Sequence, residues 1–232
     1  MNVLAIGIHP DDVELGCGGT VILAATRGHN VTLIDMSEGS ASTNGTVDDR
    51  RGEAADAAVV MGVRDRQNLG LPDTGIRSED PDQTRKMVGA IRQHRPDLVL
   101  APSADDPHPD HASGGELVAR AVYLAGLAGF QPDNEPHESK VTLVYGGRLE
   151  VAPQIVIDIT SVHETKMRAI VAHASQFVRG PGTKPTRLND PGFLIAVEGR
   201  DRLYGQKIRT SFGEAFRSLG PLAISDLSIL EG

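Results

Sequence analysis

The sequence of 232 residues contains no tryptophan, three tyrosines and a single cysteine. One cysteine excludes an intramolecular disulfide framework and fits a protein of a reducing compartment. The scarcity of aromatic rings leaves little surface for stacking, which favours a polar substrate held by hydrogen bonds. Basic residues are outnumbered, and the formal net charge of −8 argues against general binding to nucleic acid or to an anionic membrane.

The sequence also lacks long apolar runs and obvious dividing segments. No run is long enough to cross a membrane, and the N-terminus has no basic segment of the kind that opens a signal peptide. We therefore expect a cytoplasmic protein. Because no linker, internal repeat or block of like charge interrupts the chain, residues 1–232 are predicted to form a single domain.

Strand-like and helix-like stretches alternate along the chain, which predicts an α/β fold. The expected architecture is a doubly wound, Rossmann-like and mostly parallel sheet with helices on both faces. The predicted strands are 3–8, 31–36, 67–69, 98–102, 142–145 and 155–159. The predicted helices are 20–27, 50–61, 81–94, 115–127, 161–177 and 193–208. From residue 211 onward the pattern is weak.

Two stretches concentrate imidazole and carboxylate groups, and each follows a predicted strand. The first comes after the strand at 3–8 and holds His9, Asp11, Asp12 and Glu14. The second is His-Pro-Asp-His at 108–111, after the strand at 98–102. In open parallel sheets, ligands bind outside the carboxyl ends of the strands, where the winding direction reverses. We therefore expect the two stretches to face each other there.

Histidine and carboxylate ligands from the two stretches make up the donor set of a catalytic zinc site, which takes three protein ligands and keeps one position open. The same donors also accept iron, cobalt or manganese. Taken alone, either stretch also fits a turn with a capping aspartate. The other histidines are expected to be structural, because they lie on predicted helices or connections without such carboxylate partners; they are His29, His94, His137, His163 and His173.

The motifs Ala5-Ile-Gly-Ile-His-Pro-Asp-Asp12 and His108-Pro-Asp-His-Ala112 resemble those of the LmbE/PIG-L-like zinc N-acetylglucosaminide deacetylases. Further stretches are most similar to one branch, the bacillithiol-biosynthesis deacetylases that act on N-acetylglucosaminyl malate. These stretches are 42–46, Arg50 with Glu53, 71–75 and 175–177. Related sequences carry a tyrosine near the start of the last helix, where this chain has Phe193.

The resemblance implies a role for each residue of the two motifs. The implied zinc ligands are His9, Asp12 and His111. Asp11 is implied as the general base, His108 as the general acid or electrostatic stabiliser, and Asp110 as the residue that orients His108. Arg50 and Asp73 match positions that contact substrate, and Lys184 and Arg187 in the loop at 179–192 are cationic candidate partners for a malate group.

These roles predict a hydrolase that removes the N-acetyl group from a small molecule containing N-acetylglucosamine, releasing acetate and the free amino sugar. N-acetylglucosaminyl malate is the expected substrate, and a chitin oligomer, another conjugate or another amide is the alternative. The resemblance also implies a homo-oligomer, with a hexamer among the options.

Two functions of other classes remain open. A nucleotide-binding oxidoreductase would use the glycines after the first strand and Asp35, although seven residues from His9 to Leu15 intervene before those glycines. A non-catalytic sugar-binding or metal-binding protein would use the same scaffold.

Overall fold

The computed structural model describes residues 1–130, 135–146 and 152–223. Within these residues, seven strands form one sheet: β1 (Asn2–Gly7), β2 (Asn30–Ser37), β3 (Asp65–Leu71), β4 (Leu98–Pro102), β5 (Val141–Tyr145), β6 (Ile155–Asp158) and β7 (Gly213–Ser218). The helices are α1 (Asp12–Thr26), α2 (Val47–Met61), α3 (Pro81–His94), α4 (Pro109–Ala125), α5 (His163–Ala172), α6 (Ala174–Phe177) and α7 (Pro191–Lys207). A short 3₁₀ turn, Thr160–Val162, precedes α5.

The strand order is β3-β2-β1-β4-β5-β7-β6. β1 to β5 are parallel, and β7 runs antiparallel between β5 and β6. Since β1 pairs with β2 on one side and β4 on the other, the winding reverses between β1 and β4. The expected doubly wound, mostly parallel sheet is confirmed, and its crevice opens where the two histidine stretches leave the sheet.

The core lies on both faces of the central strand β1. Leu4 and Ile6 pack on one face with apolar residues of α3 and α4. Val3 and Ala5 point to the other face and pack with residues of α1, α2 and α5. Full coverage of both faces is what a central parallel strand requires. Among the described helices, none is both long and apolar enough to span a bilayer.

Two helices begin earlier than the sequence predicts. α1 starts at Asp12 instead of residue 20, and α4 starts at Pro109 instead of residue 115. The glycines that argue against helix in these stretches serve close packing. A Cβ on Gly16 would lie 2.2 Å from the Tyr145 ring, and one on Gly115 would lie 2.4 Å from the backbone of Ala104. Tertiary contact thus overrides the low helix propensity of glycine.

The strand β7 is absent from the sequence prediction, and the predicted helix at 161–177 is divided into the 3₁₀ turn, α5 and α6. β7 reads Gly-Glu-Ala-Phe-Arg-Ser, in which the buried Glu214 interrupts the apolar pattern. Its carboxylate is matched by the buried ammonium of Lys166, 2.9 Å away, so only the packed structure explains a charge at that position.

Candidate metal centre

The turn between β1 and α1 positions the first pair of candidate ligands. β1 ends at Gly7, and Asp12 is the first residue of α1. The Asp12 carboxylate folds back and accepts the backbone N–H groups of Ile8 at 3.1 Å and His9 at 2.8 Å. A carboxylate at this end of a helix is also favoured by the helix dipole. The turn therefore holds Asp12 in one orientation and brings His9 beside it.

Asp11 lies at the start of the same helix with an unusual backbone conformation. Its φ of 129° and ψ of −21° fall in a region that residues with a side chain rarely adopt. Such a conformation costs on the order of 1–3 kcal/mol and is found mainly where function requires it. The Asp11 side chain is held by the Arg50 guanidinium, 3.1 Å away. Arg50 in turn donates to the carbonyls of Pro10 and Gly39.

The second histidine stretch is organised by the N-terminus of α4. His108 is the N-cap residue, and its Nδ1 accepts the backbone N–H of Asp110 at 3.2 Å. Pro109 occupies the first helical position, where its fixed φ suits a helix start. His111 follows in the first turn of the helix and points back toward β1, into contact with His9.

Three side chains from the two stretches converge on one point. His9 Nδ1 and His111 Nε2 are 3.3 Å apart, and Asp12 Oδ2 lies 3.6 Å from the first and 3.5 Å from the second. Donors bound to one tetrahedral zinc at about 2.0–2.2 Å are separated by about 3.3–3.6 Å. The three donor atoms therefore have the spacing of three corners of a zinc tetrahedron, and all three residues are buried.

The outward-facing ring nitrogens show which nitrogens are free to bind a cation. His9 Nε2 lies 3.1 Å from Asp73 Oδ1, and His111 Nδ1 lies 3.3 Å from Asp106 Oδ2. Because carboxylates accept hydrogen bonds, we assign the ring protons to these outer nitrogens. The lone pairs of the inner nitrogens then face each other, and a shared cation removes their repulsion. The residues present therefore fit a divalent transition metal.

Burial and the surrounding charges together set the pKa values of the triad residues. Burial lowers the pKa of His9, but the Asp110, Asp12 and Asp73 carboxylates outweigh this effect. The pKa of His9 is therefore raised well above its usual range. Burial raises the pKa of Asp12, but the His111 and His9 imidazoles reverse this and hold it far below the ordinary value. The site is therefore an anionic pocket adapted to hold positive charge.

Asp11 has the opposite tendency. Burial raises its pKa to about 6, and the negative charge of Asp12 adds to this effect, while the Arg50 guanidinium opposes it. A carboxylate that is ionised at neutral pH and takes a proton readily has the properties of a general base. Asp11 therefore differs electrostatically from its neighbour Asp12.

A cleft of about 270 Å³ opens beside this centre. Asp11, Arg50 and His108 line it on the metal-centre side, and its outer wall comes from residues on three loops: Ala41, Ser42, Thr43, Thr74, Thr186 and Leu188. A substrate group placed in this cleft would contact Asp11, His108 and the point on which the three candidate ligands converge.

The structure places the other predicted site residues as follows. The Asp110 carboxylate accepts the backbone N–H groups of Thr74 and Ile76, and one of its oxygens lies 3.7 Å from His9 Nε2. Asp73 lines the cleft and also contacts His9. Lys184 does not join this group: its side chain is exposed, and its backbone pairs with Asn44.

Some site residues escaped sequence reasoning. Asp106 backs His111, and its position two residues before the His-Pro-Asp-His motif was the available signal. The expectation that His173 lacks a carboxylate partner is wrong, because its Nε2 lies 3.0 Å from the buried Glu14. His163 likewise lies 3.4 Å from Asp201. Phe193, which replaces the related tyrosine, stacks on Phe177 with the ring centres 5.9 Å apart and offers no hydrogen-bond donor.

The sheet, the donor triad at its switch point and the carboxylate base in the adjoining cleft are together the arrangement of a metal-dependent hydrolase site. The family model described as PIG-L: GlcNAc-PI de-N-acetylase matches residues 4–122, which include every residue of both histidine motifs. The chain belongs to this family of deacetylases and is an amidohydrolase. The resemblance noted in the motifs is thereby confirmed.

Related proteins agree with this assignment. A diacetylchitobiose deacetylase from Thermococcus kodakarensis is 33% identical over 191 residues, covering 76% of this chain and 70% of the relative. A probable N-acetyl-alpha-D-glucosaminyl L-malate deacetylase 2 from Bacillus cereus is 29% identical over 189 residues, covering 75% of this chain and 83% of the relative. The solved structure of a conserved protein from Thermus thermophilus has a TM-score of 0.84 at 33% identity and covers 96% of both chains.

Proposed function

We propose that this protein removes the N-acetyl group from a small molecule containing N-acetylglucosamine, with zinc as its cofactor. The observation that carries the proposal is the convergence of His9, Asp12 and His111 on one point beside the buried carboxylate of Asp11. Iron and other divalent transition metals suit the same donors. The products are acetate and the free amino sugar.

N-acetylglucosaminyl malate is the substrate that we propose first. The stretches that resemble the malate branch lie at the cleft, since Ser42, Asp73 and Gln176 all line it. The Bacillus cereus relative carries that activity in its name. The Thermococcus kodakarensis relative is named for diacetylchitobiose, which makes a short chitin oligomer the alternative.

A bound divalent cation would lower the pKa of a coordinated water and polarise the acetyl carbonyl. Asp11 lies beside the donor triad and accepts the proton of the attacking water. The Arg50 guanidinium keeps the Asp11 carboxylate oriented toward the cleft. General base assistance of this kind contributes about a hundred- to ten-thousand-fold to the rate.

His108 supplies a hydrogen-bond donor to the same cleft. Because its Nδ1 accepts the Asp110 N–H, the proton of the neutral ring is on Nε2. Nε2–H donates to the carbonyl oxygen as that oxygen becomes negative, which stabilises the transition state. Transfer of a proton to the leaving amine requires the doubly protonated His108 ring. In that form Nδ1 carries a proton and no longer accepts the hydrogen bond from the Asp110 N–H.

The test is acetate release from N-acetylglucosaminyl malate, N-acetylglucosamine and diacetylchitobiose, each measured with zinc and after removal of the metal by a chelator. We expect the highest kcat/KM for the malate glycoside, and activity that disappears with the chelator and returns with zinc. A higher kcat/KM for diacetylchitobiose would favour the alternative substrate. Absence of acetate release from all three would refute the proposal.

A further inference from the structure

Each imidazole of the candidate metal centre contacts a carboxylate through the ring nitrogen that faces away from the other donors. We propose that Asp73 and Asp106 are positioning residues that fix the tautomer and orientation of His9 and His111. Asp73 matches a substrate-contacting position in the sequence and lines the cleft, and its contact with His9 gives it this further role. This inference rests on the proposed metal site.

The contacts of Asp73 use both of its oxygens. Oδ1 lies 3.1 Å from His9 Nε2, and Oδ2 accepts the backbone N–H of Ala41 at 2.7 Å. The side chain is only 6% exposed. Asp73 therefore ties the metal ligand His9 to the loop that walls the cleft.

Asp106 repeats this arrangement at the other imidazole. Its Oδ2 lies 3.3 Å from His111 Nδ1, and its Oδ1 accepts the backbone N–H of His108 at 2.8 Å. The Asp106 side chain is 4% exposed. In both cases a buried carboxylate joins one ligand imidazole to one backbone N–H of a segment that lines the cleft.

Two donors facing one side chain explain why a carboxylate is needed. A carboxylate accepts from the ring N–H and the backbone N–H together, whereas an amide has one accepting oxygen and an NH₂ group. In Asp73→Asn, an NH₂ group that faces His9 drives the ring proton to Nδ1, and the lone pair needed for the metal is lost. Metal ligands whose supporting partner is removed typically lose about 10–100-fold in metal affinity.

The two positions are expected to differ in degree. His9 Nε2 has a second carboxylate nearby, Asp110, with an oxygen 3.7 Å away. Asp110 partly replaces Asp73 when the latter becomes an amide. We therefore expect Asp73→Asn at the low end of the 10–100-fold range and Asp106→Asn near the high end.

The experiment measures the zinc affinity of the metal-free full chain by competition with a chromophoric chelator. Asp73→Asn and Asp106→Asn are compared with wild type and with two controls that remove the same charge. Asp105→Asn changes the exposed neighbour of Asp106, and Asp82→Asn changes a side chain that is 87% exposed on α3. We expect lower affinity only in the first two variants, with thermal unfolding of the metal-free chains unchanged.

A second readout separates positioning from substrate contact. We expect Asp73→Asn to lower zinc affinity whether or not its KM at saturating zinc changes, because the positioning role acts on metal binding. A raised KM with unchanged zinc affinity would return Asp73 to a substrate contact and overturn the inference. Unchanged zinc affinity in Asp106→Asn would overturn the positioning role of Asp106.

Metal stoichiometry tests the remaining alternative, in which His9, Asp73 and Asp110 hold a second cation. Both ring nitrogens of His9 would then bind metal, so two zinc ions per chain would overturn the inference. We expect one. A wild-type chain that binds no transition metal would refute the proposed function itself, whereas equal binding by wild type and both variants would refute only the positioning roles.

Discussion

At Asp11, a strained backbone, burial and a guanidinium partner occur at one residue. Asp11 and Asp12 are adjacent in the chain, yet Asp11 contacts Arg50 while Asp12 contacts both imidazoles of the triad. The positive φ of Asp11 accompanies this divergence of neighbouring carboxylates. Strain of this kind persists only when the surrounding contacts hold it, here the hydrogen bonds of Arg50 to the Pro10 carbonyl and the Asp11 carboxylate.

Replacement of Asp11 separates catalysis from metal binding. We expect Asp11→Asn to lower kcat by about a hundred- to ten-thousand-fold, because the base is lost while the amide keeps the shape. Zinc content should stay near one per chain. His111→Ala, in contrast, should lose the metal itself. Metal analysis beside acetate-release kinetics checks both, and equal metal loss in the two variants would contradict the division of roles.

The raised pKa of Asp11 predicts the acidic limb of the pH profile. The carboxyl has a pKa of about 6, so it is ionised and able to accept a proton above that pH and protonated below it. We expect kcat/KM to fall as the pH drops through about 6. Arg50→Gln removes the charge that opposes this shift and should move the limb to higher pH, with Arg50→Lys as the charge-conserving control. A limb at the same pH in all three proteins would exclude Asp11 as its origin.

At the scale of elements, the cleft depends on two loops joined by one side chain. Asn44, in the loop between β2 and α2, donates to the carbonyl of Lys184 at 2.9 Å and accepts its N–H at 2.8 Å. Gln176 adds a bond to the Asn44 carbonyl at 2.8 Å. The segment 184–189, which brings Thr186 and Leu188 to the cleft, is thereby held against the opposite wall.

Loss of this connection should weaken substrate binding. Asn44→Ala removes two hydrogen bonds of about 1 kcal/mol each, and we expect KM to rise up to about tenfold with a smaller change in kcat. Thr183→Ala is the control, because among the described residues that hydroxyl bonds only to Gly180, within the tip of the same loop. Steady-state kinetics decide the matter, and equal KM values in both variants would show that the connection does not shape the cleft.

Helix α1 approaches the sheet through Gly16. An added methyl would meet the Tyr145 ring, which is fixed by its own hydroxyl bond to the Ile6 carbonyl at 2.5 Å. We expect Gly16→Ala to lower the free energy of unfolding by about 1–3 kcal/mol. Gly52→Ala, in α2 with open space around it, should instead raise it by about 0.5–1 kcal/mol. Denaturant unfolding of both variants measures the difference, and equal effects would contradict this packing argument.

At the scale of the whole molecule, a buried ionic cluster fastens the C-terminal part of the described chain to its beginning. The fully buried Lys166 of α5 lies 2.7 Å from Asp201 of α7 and 2.9 Å from Glu214 of β7. Glu214 also accepts the backbone N–H groups of Gly19 and Thr20 in α1. Helices α1, α5 and α7 and strand β7 are therefore connected through Lys166 and Glu214.

Removal of that ammonium leaves the buried Glu214 carboxylate without its counter-charge, while Asp201 keeps its contacts with Arg200 and His163. We expect Lys166→Met to lower the free energy of unfolding by about 3–5 kcal/mol. Lys207→Met, on the exposed surface of α7, is the matched control and should change it by less than about 0.5 kcal/mol. Chemical denaturation measures both, and a small effect of Lys166→Met would show that the cluster is dispensable.

The sequence alone determined the order of the first six strands and of the helices between them, the position of both histidine motifs and the ligand types of the candidate triad. The reason is physical: apolar periodicity and the rule that sites lie past the carboxyl ends of parallel strands are local or topological properties. The two histidine stretches were expected to face each other, and the pairing of β1 with β4 brings them side by side. The cytoplasmic location and the homo-oligomeric state stay predictions, which fractionation and light scattering can check.

Only the tertiary structure decided how far α1 and α4 extend, where β7 lies and which carboxylate contacts which imidazole. These features depend on contacts between residues distant in sequence, such as Gly16 with Tyr145 and Lys166 with Glu214. Asp73 illustrates the limit best. It is 64 residues from His9 in the chain, and nothing in its local sequence shows that its carboxylate faces an imidazole. Packing brings the two together, because hydrogen-bond partners are chosen by proximity in space and not by position along the chain.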